Sequence, residues 1–153
     1  MIYHNERKVY DCMKKIGIVY WSGTGNTEAM ATAVAEGAKN AGAEVSLIQA
    51  ADFAPERVAE FEAIAFGCPA MGAEVLEEDE FQPMFDACGD RLRDKTIALF
   101  GSYGWGDGEW MESWEQDCRA KGALLACDSV TCQEAPDEEA EQACKALGAA
   151  LAQ

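Results

Sequence analysis

Apolar residues follow two different periods along this chain. Short runs that are apolar at nearly every position, such as residues 63–67, predict strands buried on both faces of a sheet. Between these runs the apolar residues recur every three or four positions, which is typical of one face of a helix. The predicted strands cover residues 15–21, 44–49, 63–67, 96–101 and 123–132, the last broken near Cys127 and Asp128. The predicted helices cover residues 27–41, 55–60, 80–88 and 109–121.

The end of the chain carries one more helical pattern, and the complete order of elements predicts the fold. We expect Pro136 in the first turn of a last helix with an apolar face of Ala140, Cys144, Leu147 and Leu151. Strands that alternate with helices predict an α/β domain with a doubly wound, five-stranded parallel sheet and helices on both faces. The most common strand order is 2-1-3-4-5, with a binding crevice beyond the carboxyl ends of strands 1 and 3. The loops after strands 1, 3 and 4 should therefore carry the chemistry together.

The chain length and its ends set the domain boundaries. A chain of 153 residues fits one domain. Residues 1–12 do not match the alternating pattern, and we expect a poorly ordered extension there, followed by one domain over residues 13–153. No apolar stretch approaches the ~20 residues of a membrane span, and the N-terminus lacks the apolar centre of a signal peptide. The sequence therefore predicts a cytoplasmic protein that does not bind membranes.

The seven cysteines include no C-x-x-C pair. Their spacing suits neither a zinc site nor an iron–sulfur cluster, so we expect no metal. Free thiols that pack as small apolar residues in a reducing compartment are the expected state.

Acidic residues dominate the charge of the chain, which has 12 basic and 28 acidic side chains and a formal net charge of −16. No Lys or Arg occurs in residues 16–38, 58–90 or 96–118. Such a protein will not bind nucleic acid backbones or anionic membranes. The natural complement is a protein partner with a basic face, and we expect the chain itself to be a monomer.

The loop after the first strand has the composition of a phosphate-binding loop. Its residues are Ser22, Gly23, Thr24, Gly25, Asn26 and Thr27. Glycines let the backbone approach a ligand closely, and the following helix presents unpaired N–H groups and a partial positive charge. The loop contains no Lys or Arg, and neither G-x-x-x-x-G-K-[ST] nor G-x-G-x-x-G is present. The sequence thus predicts a site for one terminal phosphate held by neutral donors.

Two further loops are long and glycine-rich, and each carries one large side chain near its tip. Residues 67–78 follow the third strand and contain Met71, and residues 101–108 follow the fourth strand and contain Trp105. Together with the phosphate loop they outline a slot for a flat ring tethered to a phosphate. Trp110 and Trp114 are predicted to pack within a helix. The residues leave open whether Trp21 forms a wall of the phosphate site or packs in the core.

Three motifs in this order resemble those of the short-chain flavodoxins. The matching residues are 20–28 in the first loop, 70–72 and 74–77 in the second, and 100–108 in the third. The resemblance runs from about residue 13 to the C-terminus. It implies a flavodoxin-like fold, tightly but non-covalently bound FMN, and one-electron transfer between semiquinone and hydroquinone for redox partner proteins. It also implies that the chain is an electron-transfer protein and not an enzyme.

The resemblance implies a role for individual residues. Ser22, Thr24, Asn26 and Thr27 would hold the phosphate. Trp105 would stack on the outer face of the flavin ring and Met71 would cover the inner face. Glu74 would accept a hydrogen bond from flavin N3–H, and the backbone of residues 102–105 would line the pyrimidine edge. The complete set of expected FMN contacts is Ser22, Gly23, Thr24, Gly25, Asn26, Thr27, Ala70, Met71, Gly72, Ala73, Glu74, Ser102, Tyr103, Gly104 and Trp105.

The family also implies how the redox potentials are tuned, through Gly72, Ala73 and Glu74. The Gly72–Ala73 peptide would rotate so that its carbonyl accepts a hydrogen bond from flavin N5–H after the first electron. Two residues depart from the usual pattern: Ala73 stands where related proteins often have Asp or Ser, and Pro69 removes one backbone donor.

Acidic residues near the ring would lower the potential of the second electron. The carboxylates expected nearest to the anionic hydroquinone are Glu74, Glu77, Glu78 and Asp107.

Two other functions fit the same topology less well. An FMN-dependent quinone or flavin reductase needs one open flavin face, whereas Trp105 and Met71 would cover both. A phospho-receiver module needs an Asp at the end of strand 3 and a Lys after strand 5, where this chain has Cys68 and Gln133.

Overall fold

Six strands form one sheet in the computed structural model, which describes residues 13–72, 74–106 and 108–153. The strands are β1 (Lys15–Tyr20), β2 (Glu44–Gln49), β3 (Ala63–Gly67), β4 (Thr96–Tyr103), β5 (Leu124–Leu125) and β6 (Val130–Gln133). The α-helices are α1 (Asn26–Asn40), α2 (Phe81–Cys88), α3 (Glu109–Ala120) and α4 (Glu138–Leu151). Short 3-10 helices cover Ala50–Asp52, Pro55–Glu60 and Gly89–Leu92. Ala73, Asp107 and the predicted extension over residues 1–12 lie outside the described residues.

The sheet is parallel with the order β2-β1-β3-β4-β5, which confirms the predicted fold and strand order. The fifth position is shared by two short strands. β5 pairs with the beginning of β4 and β6 pairs with its end. The predicted break in the fifth strand is therefore confirmed, since residues 126–129 leave the sheet between the two pairings.

β4 is longer than the sequence predicts, and this changes the setting of two candidate site residues. The apolar run ends at Gly101, but β6 pairs Ser102 with Cys132 and Tyr103 with Gln133. These added pairings extend the strand by two residues. Ser102 and Tyr103 therefore lie on the end of a strand, and their assignment to a loop was wrong.

Helices cover both faces of the sheet. α1 and α4 pack on one face, where the buried residues include Ile16, Ile18, Met30, Val34, Phe100 and Leu147. α2 and α3 pack on the other face, where they include Val19, Phe66, Phe81, Phe85, Leu99 and Trp114. The six described cysteines are all free thiols. Cys68, Cys88, Cys118 and Cys144 are buried, as expected for thiols that pack as small apolar residues.

The last helix begins later than predicted. Pro136 does not lie in its first turn, because α4 begins at Glu138 and Asp137 is its N-cap. The Asp137 carboxylate accepts a hydrogen bond from the Ala140 amide at 2.8 Å. A side-chain acceptor at the N-cap satisfies a free N–H of the first turn, and this fixes where the helix starts. The predicted apolar face of Ala140, Cys144, Leu147 and Leu151 is buried.

No helix in the described ranges has the length and apolar character needed to cross a membrane.

Candidate cofactor-binding cleft

A cleft of about 510 Å³ opens at the carboxyl ends of β1, β3 and β4. Because carboxyl ends of parallel strands lie at one edge of a sheet, the three loops that follow these strands meet there. This confirms the expectation that the loops after strands 1, 3 and 4 come together. The cleft is lined by Trp21, Ser22, Gly23, Thr24, Asn26, Thr27, Pro69, Ala70, Met71, Ser102, Tyr103, Gly104 and Glu134.

The loop between β1 and α1 presents free backbone donors to the cleft. The Ser22 hydroxyl accepts hydrogen bonds from the amides of Gly25 at 3.1 Å and Glu28 at 3.2 Å, and so fixes the turn. Gly25 precedes the helix with φ 96°, a conformation that favours glycine. The amides of Gly23, Thr24, Asn26 and Thr27 have no acceptor among the described residues. These donors at a helix N-terminus form an electrically neutral cradle for an anion.

Two buried hydroxyl groups join this cradle to β4. Thr27 Oγ1 and Ser102 Oγ lie 3.2 Å apart, and both residues are buried. One hydroxyl donates to the other, so the first turn of α1 is held against the end of the strand. The pair also leaves each oxygen with further hydrogen-bonding capacity toward the cleft.

A tight turn forms the part of the β3–α2 loop that borders the cleft. The Glu74 amide donates to the Met71 carbonyl at 2.8 Å, and the Met71 amide donates to the Val75 carbonyl at 2.9 Å. Met71 is partly buried and lines the cleft. Gly72 is exposed and lies outside the positive-φ region, and a Cβ added to it would meet no atom within 4 Å. The turn is thus closed by its ends, and no described residue beyond its chain neighbours would contact a Cβ at Gly72.

The Glu74 carboxylate is buried beside this turn. Both of its oxygens lack a hydrogen bond among the described residues. The carboxylate lies against Gly106, since a Cβ at that glycine would be 1.9 Å from Oε1. Glu74 lines a second cavity of about 340 Å³ with Trp110 and Trp114 and does not line the main cleft. Burial of a carboxylate is unfavourable unless hydrogen bonds compensate it, and no described residue supplies one here.

The tryptophans that follow β4 have opposite surroundings. Trp110 and Trp114 are buried in α3, as predicted. Trp105 is 66% exposed, although it directly follows Gly104 in the lining of the cleft. Its ring therefore has surface available for contact with a ligand in the cleft.

The structure brings most of the predicted contacts together. Those in the lining are Ser22, Gly23, Thr24, Asn26, Thr27, Ala70, Met71, Ser102, Tyr103 and Gly104. Those outside the lining are Gly25, Gly72, Glu74 and Trp105. Ala73 lies outside the described residues.

Three lining residues are not among the predicted contacts. The sequence leaves the role of Trp21 open, and the structure shows that it both lines the cleft and packs against the core. Pro69 was expected only to remove a donor, yet it is part of the wall. Glu134 follows β6, and its amide donates to the Tyr103 carbonyl at 2.7 Å. Its only sequence signal is a position after the fifth strand, which is at the same edge of a parallel sheet.

The structure shows a role for Glu77 that the sequence does not reveal. The residue is 5% exposed, and its carboxylate accepts hydrogen bonds from the amides of Asp79, Glu80 and Phe81 at 2.8–2.9 Å. Burial by itself raises the pKa of Glu77, but these three N–H groups outweigh it and lower the pKa below its ordinary value. Glu77 therefore holds the start of α2 in place, and its charge is already engaged there.

Comparison with known proteins identifies the family. The flavodoxin family profile matches residues 18–148. The chain is 45% identical to a flavodoxin from Megasphaera elsdenii over 90% of this chain and 98% of that protein. It is 43% identical to a flavodoxin from Clostridium beijerinckii over 88% of this chain and 97% of that protein. The solution structure of the two-electron reduced Megasphaera elsdenii flavodoxin superposes with a TM-score of 0.83 over the same shares. The chain belongs to the flavodoxin family.

Flavodoxins are electron-transfer proteins that bind FMN, so FMN is the cofactor of this chain and the chain is not an enzyme. One feature of the cleft and one of the neighbouring β3–α2 loop fit this flavodoxin cofactor. The unpaired amides at the start of α1 suit a phosphate group. The buried Glu74 carboxylate has no donor among the described residues, and the imide N–H of a flavin ring is a donor.

Proposed function

We propose that this chain is a low-potential one-electron carrier that cycles FMN between its semiquinone and hydroquinone for redox proteins with basic faces. The observation that supports this most strongly is the charge of the cleft. No Lys or Arg is among its described lining residues, and Glu134 is the one acidic side chain there. Bound FMN supplies the one-electron chemistry, and the protein supplies the surroundings that decide how readily each electron is accepted.

The phosphate is proposed to lie on the loop that precedes α1. Ser22, Thr24, Asn26 and Thr27 would contribute hydroxyl or amide groups, and the free backbone N–H groups would complete the site. These donors hold an anion through hydrogen bonds and the helix dipole. Because no cation takes part, the negative charge of the phosphate would persist near the ring.

The ring is proposed to lie between Met71 and Trp105, with residues 102–104 along its edge. A thioether and an indole are both polarizable and pack well against an aromatic surface. Trp105 is exposed and has surface available for such a contact. Glu74 would accept the N3–H hydrogen bond that its buried oxygens lack.

Gly72 is proposed to allow the Gly72–Ala73 peptide to rotate and present its carbonyl to the ring. A positive φ at the first central residue of the rotated turn suits glycine. In the structure Gly72 has not adopted that conformation, and no neighbouring side chain obstructs it.

A low potential for the second electron would follow from the acidic surroundings. A carboxylate about 10 Å from a new negative charge opposes it by roughly 1–2 kcal/mol at an effective dielectric constant of about 20. Glu74, Glu78, Asp107 and Glu134 are the acids proposed to act in this way. Glu77 is proposed to contribute less, since its carboxylate is already bound by three amides.

We also propose that the protein works as a monomer in the cytoplasm. The six described cysteines are free thiols, which supports a reducing compartment. The net charge of −16 opposes self-association by mutual repulsion.

Stepwise anaerobic reduction of the FMN-loaded protein tests this function. With dithionite as reductant and redox dyes as references, we expect two separate one-electron steps with a blue neutral intermediate, and a second potential more negative than that of free FMN. Free FMN in the same buffer is the control. A single two-electron step at the potential of free FMN would contradict the proposal. A protein that is colourless after incubation with FMN and removal of unbound FMN would contradict the cofactor site itself.

A further inference from the structure

The Trp21 side chain forms one wall of the phosphate loop. Its ring lies over Gly23, because a Cβ at Gly23 would be 2.9 Å from Cη2 and 3.2 Å from Cζ3 of the indole. Trp21 lines the cleft as well, so the same ring borders both the loop backbone and the space for the ligand. Gly23 itself is exposed. The ring is therefore the neighbour that restricts this part of the loop.

The Trp21 ring packs against the core but also has open space beside it. Besides the cleft, Trp21 lines a small cavity of about 100 Å³ together with Gln49, Ala51 and Glu80. An aromatic ring with open space beside it needs a directional contact to stay in one position. That contact is the hydrogen bond from Trp21 Nε1 to Glu80 Oε1, at 2.9 Å.

The backbone of Glu80 is fixed at the start of α2. Glu80 is the N-cap of that helix, and its amide donates to Glu77 Oε1 at 2.8 Å. The Glu77 amide in turn donates to Cys68 Sγ at 3.4 Å, at the end of β3. Glu80 thus extends from a well-held segment of the β3–α2 loop across to the loop that follows β1.

We infer that Glu80 is a positioning residue for the phosphate site. It holds the Trp21 ring against Gly23, and the ring keeps the loop amides in the arrangement that binds the phosphate. The inference rests on the proposed binding of FMN in this cleft. It predicts that the hydrogen bond matters for a flavin with a phosphate and is irrelevant for one without.

Two variants that carry the same charge isolate this hydrogen bond. Glu80→Gln and Glu80→Ala both remove the carboxylate charge, but only glutamine keeps an oxygen that can accept from Trp21 Nε1. Binding of FMN and of riboflavin to each apoprotein is measured by quenching of flavin fluorescence. We expect the dissociation constant for FMN to be about three- to tenfold higher for Glu80→Ala than for Glu80→Gln. The two variants should bind riboflavin with equal affinity.

A third variant, Trp21→Phe, removes the donor and keeps an aromatic ring. We expect it to weaken FMN binding by a similar factor. In the double variant, Glu80→Ala should cause no further loss of FMN binding, because the donor of the hydrogen bond is already gone. Urea unfolding of each apoprotein checks that the fold is retained.

The possible outcomes separate this inference from the proposed function. Equal FMN affinities of the alanine and glutamine variants would overturn the inference, as would an equal loss of FMN and riboflavin binding. Fully additive losses in the double variant would do the same. If the wild-type apoprotein fails to bind FMN, the proposed function fails and takes the inference with it.

Discussion

Glu77 illustrates how a single buried carboxylate can serve the fold at the border of a functional site. Its oxygens accept three backbone hydrogen bonds from the residues that open α2. The first N–H groups of a helix have no partner within the helix, so an acceptor at this place stabilises both the helix and the preceding loop. That loop carries Met71 and Gly72 toward the cleft.

We predict that Glu77→Gln lowers the free energy of unfolding by about 1–3 kcal/mol at neutral pH, because an amide oxygen is a weaker acceptor and one charged partner is lost. The pKa of Glu77 is lower in the folded state than its ordinary value of 4.5. Its contribution to the free energy of unfolding is therefore fully present above pH 4.5 and is lost as the pH falls through the folded-state pKa. The difference in the free energy of unfolding between wild type and Glu77→Gln should therefore become smaller in acid. Urea unfolding at neutral and acid pH measures it.

The neighbouring Glu78 is the matched control, because it is exposed and its substitution removes the same charge. Glu78→Gln should change stability by no more than about 0.5 kcal/mol. Equal effects of the two substitutions would mean that the Glu77 hydrogen bonds do not stabilise the start of α2.

Gly72 allows a test of redox tuning that leaves the fold intact. In the structure a Cβ at this position meets nothing within 4 Å and the φ angle is not positive, so Gly72→Ala should fold normally. The substitution disfavours the rotated peptide. We expect the potential of the first electron to fall by about 20–65 mV, which corresponds to losing one net hydrogen bond of ~0.5–1.5 kcal/mol. Potentials unchanged from wild type, with normal FMN affinity, would argue against rotation of this peptide.

At the scale of elements, the contact between α1 and α4 depends on two glycines. A Cβ at Gly37 would be 2.0 Å from the Lys145 carbonyl oxygen, and a Cβ at Gly148 would be 2.1 Å from the Val34 carbonyl oxygen. Each helix thus places a glycine against the backbone of the other. The close approach lets the small residues of both helices cover one face of the sheet.

We predict that Gly37→Ala lowers the free energy of unfolding by about 1–3 kcal/mol, since the added methyl group forces the two helices apart. The sign of this change in the free energy of unfolding is informative, because an alanine in an unobstructed helix stabilises the helix by about 1 kcal/mol relative to glycine. Lys39→Ala, at an exposed position of the same helix, is the control and should have little effect. Thermal and urea unfolding provide the comparison. A stabilised Gly37→Ala variant would show that the helices can separate without loss.

At the scale of the whole molecule, the two ends of the strands differ in charge. The three stretches without Lys or Arg include all three loops that form the cleft. Basic residues occur at the other edge of the sheet: Lys15 begins β1, and Lys95 and Lys121 lie shortly before β4 and β5. Since parallel strands place their amino ends together, the sequence order itself separates the charges. We propose that a redox partner approaches the acidic end, where the proposed flavin site lies.

This asymmetry predicts that salt slows electron transfer to a basic partner. With a positively charged cytochrome c as the test acceptor, we expect the rate of oxidation of the reduced protein to fall as ionic strength rises. Ferricyanide is the control, because it is an anion and its rate should rise under the same conditions. Stopped-flow absorbance follows both reactions. A rate with cytochrome c that is independent of salt would remove the docking proposal.

Local patterns predicted much of this molecule, and the exceptions share a cause. The strand order and the position of the cleft followed from alternating elements and from loop composition. The end of β4 at Tyr103 did not, because it depends on pairing with β6, about 30 residues further along the chain. The hydrogen bonds of Glu77 were not predicted, because a Glu in an acidic loop shows no sign of the amides that surround it. The start of α4 was missed by two residues because Asp137, and not Pro136, provides the decisive contact.

The sequence by itself determined the fold class, the edge of the sheet where the cleft lies, and the absence of charged side chains from the loop before α1. These properties depend on residues close together in the chain and on the general geometry of parallel sheets. The tertiary structure alone decided the contacts between distant segments, such as Trp21 with Glu80, 59 positions apart, and Thr27 with Ser102, 75 positions apart. A hydrogen bond depends on distance and direction in space, and no periodicity in the sequence records which distant side chains the fold brings within reach.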